Sequence, residues 1–254
     1  MLKEVRIEKI RELLSKQGEI QVTDLAQRFH VTEMTIRRDL DLLSKETAVI
    51  RTRGGAYLAP NTQQFEPSYS SRQRESREYK DRIASKAVEL LDGANVIYLD
   101  SGTTTEQILC HIDNSRNYMI VTNGVNIAME SVNHSRVSVY LVGGEFRANT
   151  LSTGGPSVEE QLLNFRYDVA FLGANAIDAS GNAFVGTTLE VALKRNVIRN
   201  SERTYIAAGS SKIGKISLTP YVNAAELDGI ITDDGLPEEL AEQLKKANVN
   251  LLIG

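Results

Sequence analysis

Residues 23–44, TDLAQRFHVTEMTIRRDLDLLS, decide the fold of the N-terminal part of the chain. Two runs with apolar residues at helical spacing flank a short break, and the second run carries the arginine pair Arg37-Arg38. Thr23 and Thr32 stand where helix N-caps are expected, because a side-chain oxygen there accepts a hydrogen bond from an unpaired backbone N–H. The stretch therefore predicts two short helices joined by a tight turn, which is a helix-turn-helix.

The residues around this stretch extend it to a winged helix. An apolar stripe at helical spacing over residues 5–16 predicts a preceding helix, and the alternating residues 19–22 favour a short strand. The β-prone residues 48–52 are followed by Gly54-Gly55, which favours a turn into a second strand. We expect this winged helix-turn-helix to occupy residues 1–58.

The predicted third helix has one inward and one outward face. Ile36, Leu40 and Leu43 stand at i, i+4 and i+7 and should pack inward, so the opposite face is available to a DNA groove. Arginine binds guanine through a bidentate contact or binds a phosphate, and the alternative for each arginine is a solvated surface charge. The candidate DNA-binding residues are Thr32, Thr35, Arg37, Arg38, Arg51 and Arg53.

Charge is unevenly distributed along the 254 residues. Through Leu58 the chain has 11 Lys and Arg against 9 Asp and Glu, and the remainder has 18 against 24, so the net charge of −4 divides into +2 and −6. Phosphate binding needs a local basic face, not a basic protein, so this division supports a DNA-binding head.

Several classes of protein are disfavoured by the composition. No apolar run approaches the roughly 18 residues of a membrane span, and the charged N-terminus predicts no signal peptide. The three histidines are scattered, so we expect no metal site, and no cofactor motif is present. Cys110 is the only cysteine, which excludes an intramolecular disulfide and favours the cytoplasm; its apolar neighbours predict a buried, unreactive thiol.

A change of composition marks a boundary after the winged helix. Residues 59–71, APNTQQFEPSYSS, contain two prolines and many small polar residues. From Arg72 the chain is charged, and apolar residues at helical spacing reach Leu91. We predict a linker and the start of a connector helix over residues 59–80, and a second domain over residues 81–254. The basic residues of the connector are either partner contacts or solvated charges.

Apolar runs alternate with amphipathic segments from Ala94 to the end of the chain. Such alternation predicts an α/β domain with a mostly parallel sheet covered by helices on both faces. The predicted strands are residues 95–100, 118–123, 137–142, 168–173, 204–208, 229–232 and 250–253. The predicted helices are residues 104–111, 125–132, 157–164, 189–199 and 237–247.

Small and polar residues follow five of the predicted strands. Hydroxyls and backbone N–H groups at a helix N-terminus bind anions, and ligands of such sheets lie beyond the carboxyl ends of the strands. The five loops therefore predict a pocket for a small anionic ligand. Glu190 and Lys194 either belong to this pocket or form an i,i+4 surface pair. The candidate ligand-binding residues are Asp100, Ser101, Gly102, Thr103, Thr104, Thr105, Asn123, Gly124, Gly143, Gly144, Gly173, Glu190, Lys194 and Lys212.

The chain resembles the DeoR-type bacterial transcriptional repressors over nearly its whole length. The motifs that carry the resemblance are TEMTIRRDL at 32–40, RTRGGA at 51–56, DSGTTT at 100–105, VTNG at 121–124, VGGEFR at 142–147, DVAFLGANAID at 168–178 and SSKIGK at 210–215. Two departures from the family pattern are Gly209, where an acidic residue is usual, and Asn175-Ala176, where Asp and Gly are common.

The resemblance implies a winged-helix head that binds operator DNA and a sensor domain similar to ribose-5-phosphate isomerase and the CoA-transferase-like fold. It also implies a phosphorylated sugar as effector and assembly into dimers or larger homo-oligomers. Because no apolar run is long enough for a membrane span, we expect no membrane partner. Ser101–Thr105 would be the phosphate cradle. The positions that would line the sugar pocket are Asp100, Asn123, Glu190 and Lys212.

Three functions are compatible with these features. The first is a repressor of a carbohydrate catabolic operon that a phosphorylated sugar releases from its operator; such a protein is not an enzyme. The second is a sugar-phosphate isomerase with an accessory DNA-binding head, which would need one of the carboxylates as its base. The third is an activator or an architectural factor. The carboxylates in question are Asp100, Glu145, Asp178 and Glu190.

Overall fold

The computed structural model describes residues 2–46, 49–58, 68–113 and 115–254. The chain divides into two compact units, Met1–Phe65 and Glu66–Gly254. Ala48 of the predicted wing and residues 59–67 of the predicted linker lie outside the described residues.

The first unit is a winged helix, as the sequence predicts. Its three strands form an antiparallel sheet in the order β1-β3-β2, with β1 before the helix-turn-helix and β2 and β3 forming the wing. The described elements are α1 (Lys3–Gln17), β1 (Glu19–Gln21), α2 (Val22–Phe29), α3 (Glu33–Glu46), β2 (Val49–Arg51) and β3 (Gly55–Leu58).

One of the two predicted helix caps is wrong. Thr32 caps α3, because its Oγ1 accepts from the backbone N–H of Thr35 at 3.3 Å. Thr23 lies inside α2, which begins one residue earlier at Val22. Strand β1 continues directly into α2, and the N–H of Val22 donates to the carbonyl of Gly54 at 2.8 Å. A carbonyl of the wing thus accepts a hydrogen bond from a backbone N–H at the start of α2, as a capping side chain would otherwise do.

The core of the winged helix contains the residues that the helical spacing predicts. Ile36, Leu40 and Leu43 of α3 are fully buried, and they pack with Ile10 and Leu14 of α1. A buried ion pair accompanies this core, since Arg6 Nε lies 2.6 Å from Asp39 Oδ2. The pair joins α1 to the inner side of α3, a contact that hydrophobic periodicity does not reveal.

The second unit contains a parallel sheet, helices and short hairpins. The helices among its described residues are α4 (Tyr69–Arg74), α5 (Arg77–Val88), α6 (Thr103–His111), α7 (Val125–Glu130), α8 (Pro156–Leu162), α9 (Leu189–Arg199) and α10 (Glu238–Lys246). The strands are β4 (Val96–Leu99), β5 (Tyr118–Thr122), β6 (Val137–Leu141), β7 (Glu145–Arg147), β8 (Ser152–Gly154), β9 (Tyr167–Leu172), β10 (Ala176–Ile177), β11 (Asn182–Val185), β12 (Ser201–Ala207), β13 (Thr219–Asn223), β14 (Gly229–Thr232) and β15 (Leu251–Ile253).

All seven predicted strands form one sheet with every neighbouring pair parallel, in the order β15-β14-β12-β9-β4-β5-β6. Successive residues of β4 belong to the two cores on opposite faces: Tyr98 packs in one, and Ile97 and Leu99 pack in the other. This explains the continuous apolar strands, because both faces of the sheet are covered. The predicted α/β fold class is confirmed.

The connector differs from the single helix predicted from Arg72. It consists of α4 and α5, separated by Glu75 and Ser76, and Ser76 has a left-handed backbone with φ of 48°. The break turns the chain between the two helices. It places Ile83 and Ala87 of α5 in the core beneath the sheet, while α4 contributes residues to a cavity at the sheet edge.

No described helix has the length and apolar character needed to cross a membrane. Within the same residues, no group of three or more His, Cys, Asp or Glu side chains is arranged to hold a metal ion.

Candidate effector cavity and DNA-binding surface

A cavity opens at the carboxyl ends of β4, β9 and β12, where the sequence predicts the ligand site. Its volume is about 170 Å³. The lining residues are Arg72, Glu75, Asp100, Ser101, Gly102, Thr103, Thr104, Thr105, Thr150, Gly173, Ala174, Asn175, Glu190, Lys194, Ala207 and Lys212.

The loop after β4 forms one wall of the cavity. Helix α6 begins at Thr103, and the side chains of Thr103, Thr104 and Thr105 are buried. The Thr105 hydroxyl donates to the carbonyl of Gly102 at 2.8 Å, which holds the turn closed. The first N–H groups of a helix have no partner within the helix, so this wall presents donors to an anion.

The carboxylate of Asp100 lies at the base of the cavity beside a buried lysine. Lys194 Nζ contacts Asp100 Oδ2, and both side chains are less than a tenth exposed. The N–H of Gly173 donates to the same oxygen at 2.8 Å, and the N–H of Ser101 donates to Oδ1 at 3.0 Å. This ion pair joins the end of β4 to α9 and orients the polar floor of the cavity.

A buried aromatic residue, Tyr221, packs against two of the residues that line the cavity, Lys194 and Gly173. The Lys194 ammonium lies 5.4 Å from the centre of the Tyr221 ring, and the Tyr221 hydroxyl donates to the Gly173 carbonyl at 3.2 Å. Burial, together with the nearby Asp100 charge, raises the pKa of Tyr221 well above its usual value. Tyr221 therefore remains a neutral hydrogen-bond donor at every physiological pH.

Glu190 and Lys194 do not form the i,i+4 surface pair that was the alternative interpretation. Glu190 Oε1 accepts from Arg147 Nη1 at 2.8 Å, while Lys194 pairs with Asp100. Arg147 lies on β7, far from α9 in the sequence, so the contact between Arg147 and Glu190 could not be predicted from the sequence. Lys212, from the loop after β12, donates to the carbonyl of Ala174 at 2.8 Å at the cavity wall.

Four of the predicted ligand-binding residues do not line this cavity. Asn123 is buried, where it accepts from the Tyr98 hydroxyl and donates to the Thr153 carbonyl, both at 2.9 Å. Gly124 and Gly144 are needed for close packing: a Cβ atom there would lie 2.9 Å from the Cα of Ser101 and 2.7 Å from the Gly154 carbonyl, respectively. Gly143 accepts a hydrogen bond from the Gln161 side chain at 2.8 Å.

Other lining residues were absent from the predicted set. Arg72 of α4 and Glu75, which follows the end of α4, both line the cavity. Asn175 could have been included, since it follows β9 as the other loop residues follow their strands. Thr150 lies between β7 and β8, and no pattern in the sequence indicates its place. Among the charged lining residues, three are basic and three are acidic.

The candidate DNA-binding surface lies on α3 and the wing. Arg38 and Arg53 are exposed. Arg51 instead donates through Nη1 to the carbonyl of Arg37 at 2.7 Å and to Asp41 at 2.5 Å. The Arg37 side chain donates to the carbonyl of Arg53 at 3.0 Å. Arg37 and Arg51 therefore bind the wing to α3, a role that their sequence positions do not distinguish from DNA contact.

The described residues combine a winged helix with an α/β domain that holds a polar cavity at the edge of its parallel sheet. Residues 6–62 match the family model of the DeoR-like helix-turn-helix domain, and residues 75–234 match that of the DeoR C terminal sensor domain. The chain therefore belongs to the DeoR family of transcriptional regulators.

Similar proteins match the chain over nearly its whole length. It is 33% identical to the putative aga operon transcriptional repressor of Escherichia coli O157:H7, over 98% of this chain and 93% of that protein. It is 30% identical to the glycerol-3-phosphate regulon repressor of Escherichia coli K12, over 95% of each protein. Against the transcriptional repressor GlcR of Bacillus subtilis 168 the identity is 30%, over 100% of this chain and 97% of the relative.

Among solved structures, ribose 5-phosphate isomerase A of Methanocaldococcus jannaschii is 16% identical and superposes with a TM-score of 0.41 over 56% of this chain and 57% of that protein. The full-length relatives are named as transcriptional repressors, so the chain is a regulator and not an enzyme. Asp100 and Glu190 are two of the carboxylates that could have served as the base of an isomerase. Asp100 pairs with Lys194, and Glu190 pairs with Arg147.

Proposed function

We propose that this regulator represses a carbohydrate catabolic operon and leaves its operator when a phosphorylated sugar binds the sensor cavity. One observation carries the proposal: donors for an anion and acceptors for hydroxyls line a single cavity. Thr103 and Thr104 bring the start of α6 to the cavity, and the carboxylates of Asp100 and Glu190 face the same space.

Each end of a phosphorylated sugar has complementary groups in the cavity. A phosphate at the start of α6 would receive backbone N–H bonds and the charges of Arg72 and Lys212. Sugar hydroxyls both donate and accept, so the side chain of Asn175 and the carboxylate of Glu190 are suitable partners. The names of the relatives agree with this class of ligand, since one is a glycerol-3-phosphate regulon repressor.

The DNA end of the mechanism uses the exposed side chains of the winged helix. Arg38 on α3 would contact the major groove and Arg53 the neighbouring backbone, while Arg37 and Arg51 hold the wing at a fixed distance from α3. Helix-turn-helix proteins bind paired half-sites about 34–36 Å apart or a multiple of this distance, so two copies would act together in the bacterial cytoplasm.

Binding of the purified protein to its own promoter, measured across a panel of phosphorylated and unphosphorylated sugars, tests the proposal. We expect one phosphorylated sugar to weaken operator binding at least about fivefold, the lower range of allosteric coupling. Operator affinity that no sugar phosphate changes would contradict the sensor function.

A pair of variants in one loop assigns the effect to the cavity. Lys212→Met should leave operator affinity unchanged in the absence of sugar but raise the effector concentration needed for release. Lys215→Met, three residues away and exposed, is the matched control and should respond as the unmodified protein does. Equal behaviour of the two variants would exclude Lys212 from the effector site.

A further inference from the structure

Glu106 of α6 is a buried carboxylate that is not among the residues lining the cavity, and a tyrosine of α4 binds it. The Tyr69 hydroxyl lies 2.7 Å from each carboxylate oxygen of Glu106, and Asn126 Nδ2 donates to Oε2 at 3.0 Å. A buried carboxylate needs such donors, because water no longer solvates its charge. Burial, together with the bond to Glu106, raises the pKa of Tyr69 well above its usual value, so Tyr69 keeps the proton that it donates.

The bond to Glu106 fixes the first residue of α4. Helix α4 begins at Tyr69, whose backbone N–H donates at 2.8 Å to the carbonyl of Asn149, in the turn between β7 and β8. Gln73 Nε2, one turn later in α4, donates to the Tyr69 hydroxyl at 2.8 Å. In the sequence, residues 59–68 separate the end of β3 from the start of α4. Tyr69 is therefore anchored in the sensor domain close to the point where the chain arrives from the winged helix.

Arg72, one turn along α4, connects the same helix to the cavity. Arg72 lines the cavity, and its carbonyl accepts from the Thr103 hydroxyl at 3.5 Å and from the side chain of Lys80 in α5. Thr103 is the first residue of α6 and also lines the cavity. The contact between Arg72 and Thr103 lies three residues from the Tyr69 contact on both helices, so α4 is joined to α6 at two points.

We propose that Tyr69 is a positioning residue that transmits effector binding from the cavity to the winged helix; this inference rests on the proposed function. A phosphate at the start of α6 contacts both α6 and Arg72, so it favours one arrangement of α4 and α6 over another. The bond from Tyr69 to Glu106 carries that preference to the first residue of α4, and the chain continues from there to the winged helix. Hydrogen-bond networks and rigid helices are the structures that transmit coupling between binding sites.

Tyr69→Phe in the full chain separates transmission from ligand binding, because it removes the hydroxyl and leaves the lining residues of the cavity in place. Titration calorimetry measures binding of hexose monophosphates and glycerol 3-phosphate, and anisotropy measures promoter binding with and without each of these probes. Tyr69→Phe should bind the active probe within about threefold of the affinity of the unmodified chain. The same probe should change its operator affinity less than about twofold, against at least about fivefold for the unmodified chain.

Tyr140→Phe is the matched control, because Tyr140 loses the same hydroxyl from β6, where it is 43% exposed, and this variant should respond to the probe as the unmodified chain does. Circular dichroism establishes that each variant is folded. If Tyr69→Phe does not fold, Glu106→Gln carries the same test, since it replaces the charged acceptor of the Tyr69 hydroxyl with a neutral one.

Two results would overturn the role of Tyr69 while the proposed function stands. One is release of Tyr69→Phe from the operator to the same extent as the unmodified chain. The other is a loss of probe binding as large as the loss of release, because Tyr69 would then only help to build the cavity. If none of the probes releases the unmodified chain, the proposed function fails and the transmission by Tyr69 fails with it.

Discussion

The arginines of the winged helix show how much the role of one residue depends on its contacts. Arg37 and Arg38 are adjacent in sequence, yet Arg37 donates to the carbonyl of Arg53 while Arg38 is exposed. Arg51 binds the carbonyl of Arg37 and the carboxylate of Asp41. Arginine chemistry suits both tasks, because the planar guanidinium donates in several directions at once.

Arg38→Ala should weaken operator binding about 10- to 100-fold, because a bidentate arginine contact to a base contributes about 1–3 kcal/mol of discrimination. The preference for operator over unrelated DNA should fall together with affinity. Fluorescence anisotropy with both DNA sequences measures the two effects.

Lys9→Ala on the exposed side of α1 is the control for this change, and it should bind operator as the unmodified chain does. An Arg38→Ala protein that binds operator with full affinity would show that the recognition surface lies elsewhere.

Cys110 corrects a prediction made from its apolar neighbours. The residue is exposed on α6 instead of buried. Partial burial of the sulfur, followed by the nearby charges of Glu130 and Glu106, still raises the thiol pKa to about 11. The expected low reactivity therefore comes from the protonation state of an accessible thiol.

This pKa has a consequence for chemical labelling. At pH 8 a thiol of pKa about 11 is roughly 0.1% thiolate, against about a quarter for an ordinary cysteine, and only the thiolate reacts. We expect iodoacetamide to label the folded chain far more slowly than the urea-unfolded chain at pH 8. The rate for the folded chain should keep rising up to about pH 11, whereas a plateau near pH 9 would contradict the raised pKa.

At the scale of elements, the cavity depends on the contact between the end of β4 and helix α9. The Lys194 side chain is 3% exposed and Asp100 is 8% exposed, so neither charge is stabilised by much water. Removing one partner of such a pair leaves the other buried without compensation, which costs about 3–5 kcal/mol.

Lys194→Met should therefore lower the free energy of unfolding by about 3–5 kcal/mol, measured by urea denaturation followed by circular dichroism. The double variant with Asp100→Asn should recover more than half of this loss, since it removes the uncompensated charge. Additive losses in the double variant would mean that the two side chains do not interact in solution.

At the scale of the whole molecule, the proposed mechanism requires coupling between two separate units, Met1–Phe65 and Glu66–Gly254. Coupling between binding sites is reciprocal, so operator DNA must weaken sugar-phosphate binding by the same factor by which the sugar phosphate weakens operator binding. Isothermal titration with and without saturating operator measures one factor, and anisotropy measures the other. Unequal factors would mean that the sugar and the DNA do not act on one equilibrium.

Much of the fold was predictable because its signals are local or periodic. The seven sheet strands are short apolar runs between amphipathic segments, and α9 spans the predicted residues Leu189–Arg199. Ten of the fourteen predicted ligand-binding residues line one cavity, because parallel strands direct their following loops to the same edge. The contribution of α4 was not predictable, because it depends on the break at Glu75 and Ser76 and on how the connector packs.

The sequence by itself determined the winged helix, the parallel α/β sheet and the family, because each rests on periodicity, turn residues or ordered motifs. Tertiary structure alone decided the partners of charged residues. It paired Lys194 with Asp100, Glu190 with Arg147 and Arg51 with Asp41, and it left β6 at the sheet edge. An ion pair forms between charges that lie within a few ångströms of each other in space. The number of residues between two charged side chains in the sequence therefore does not predict whether they pair. The sequence of α3 predicted a DNA-binding element, but only the contacts with the folded wing show that Arg38 is exposed and that Arg37 is bound to the wing.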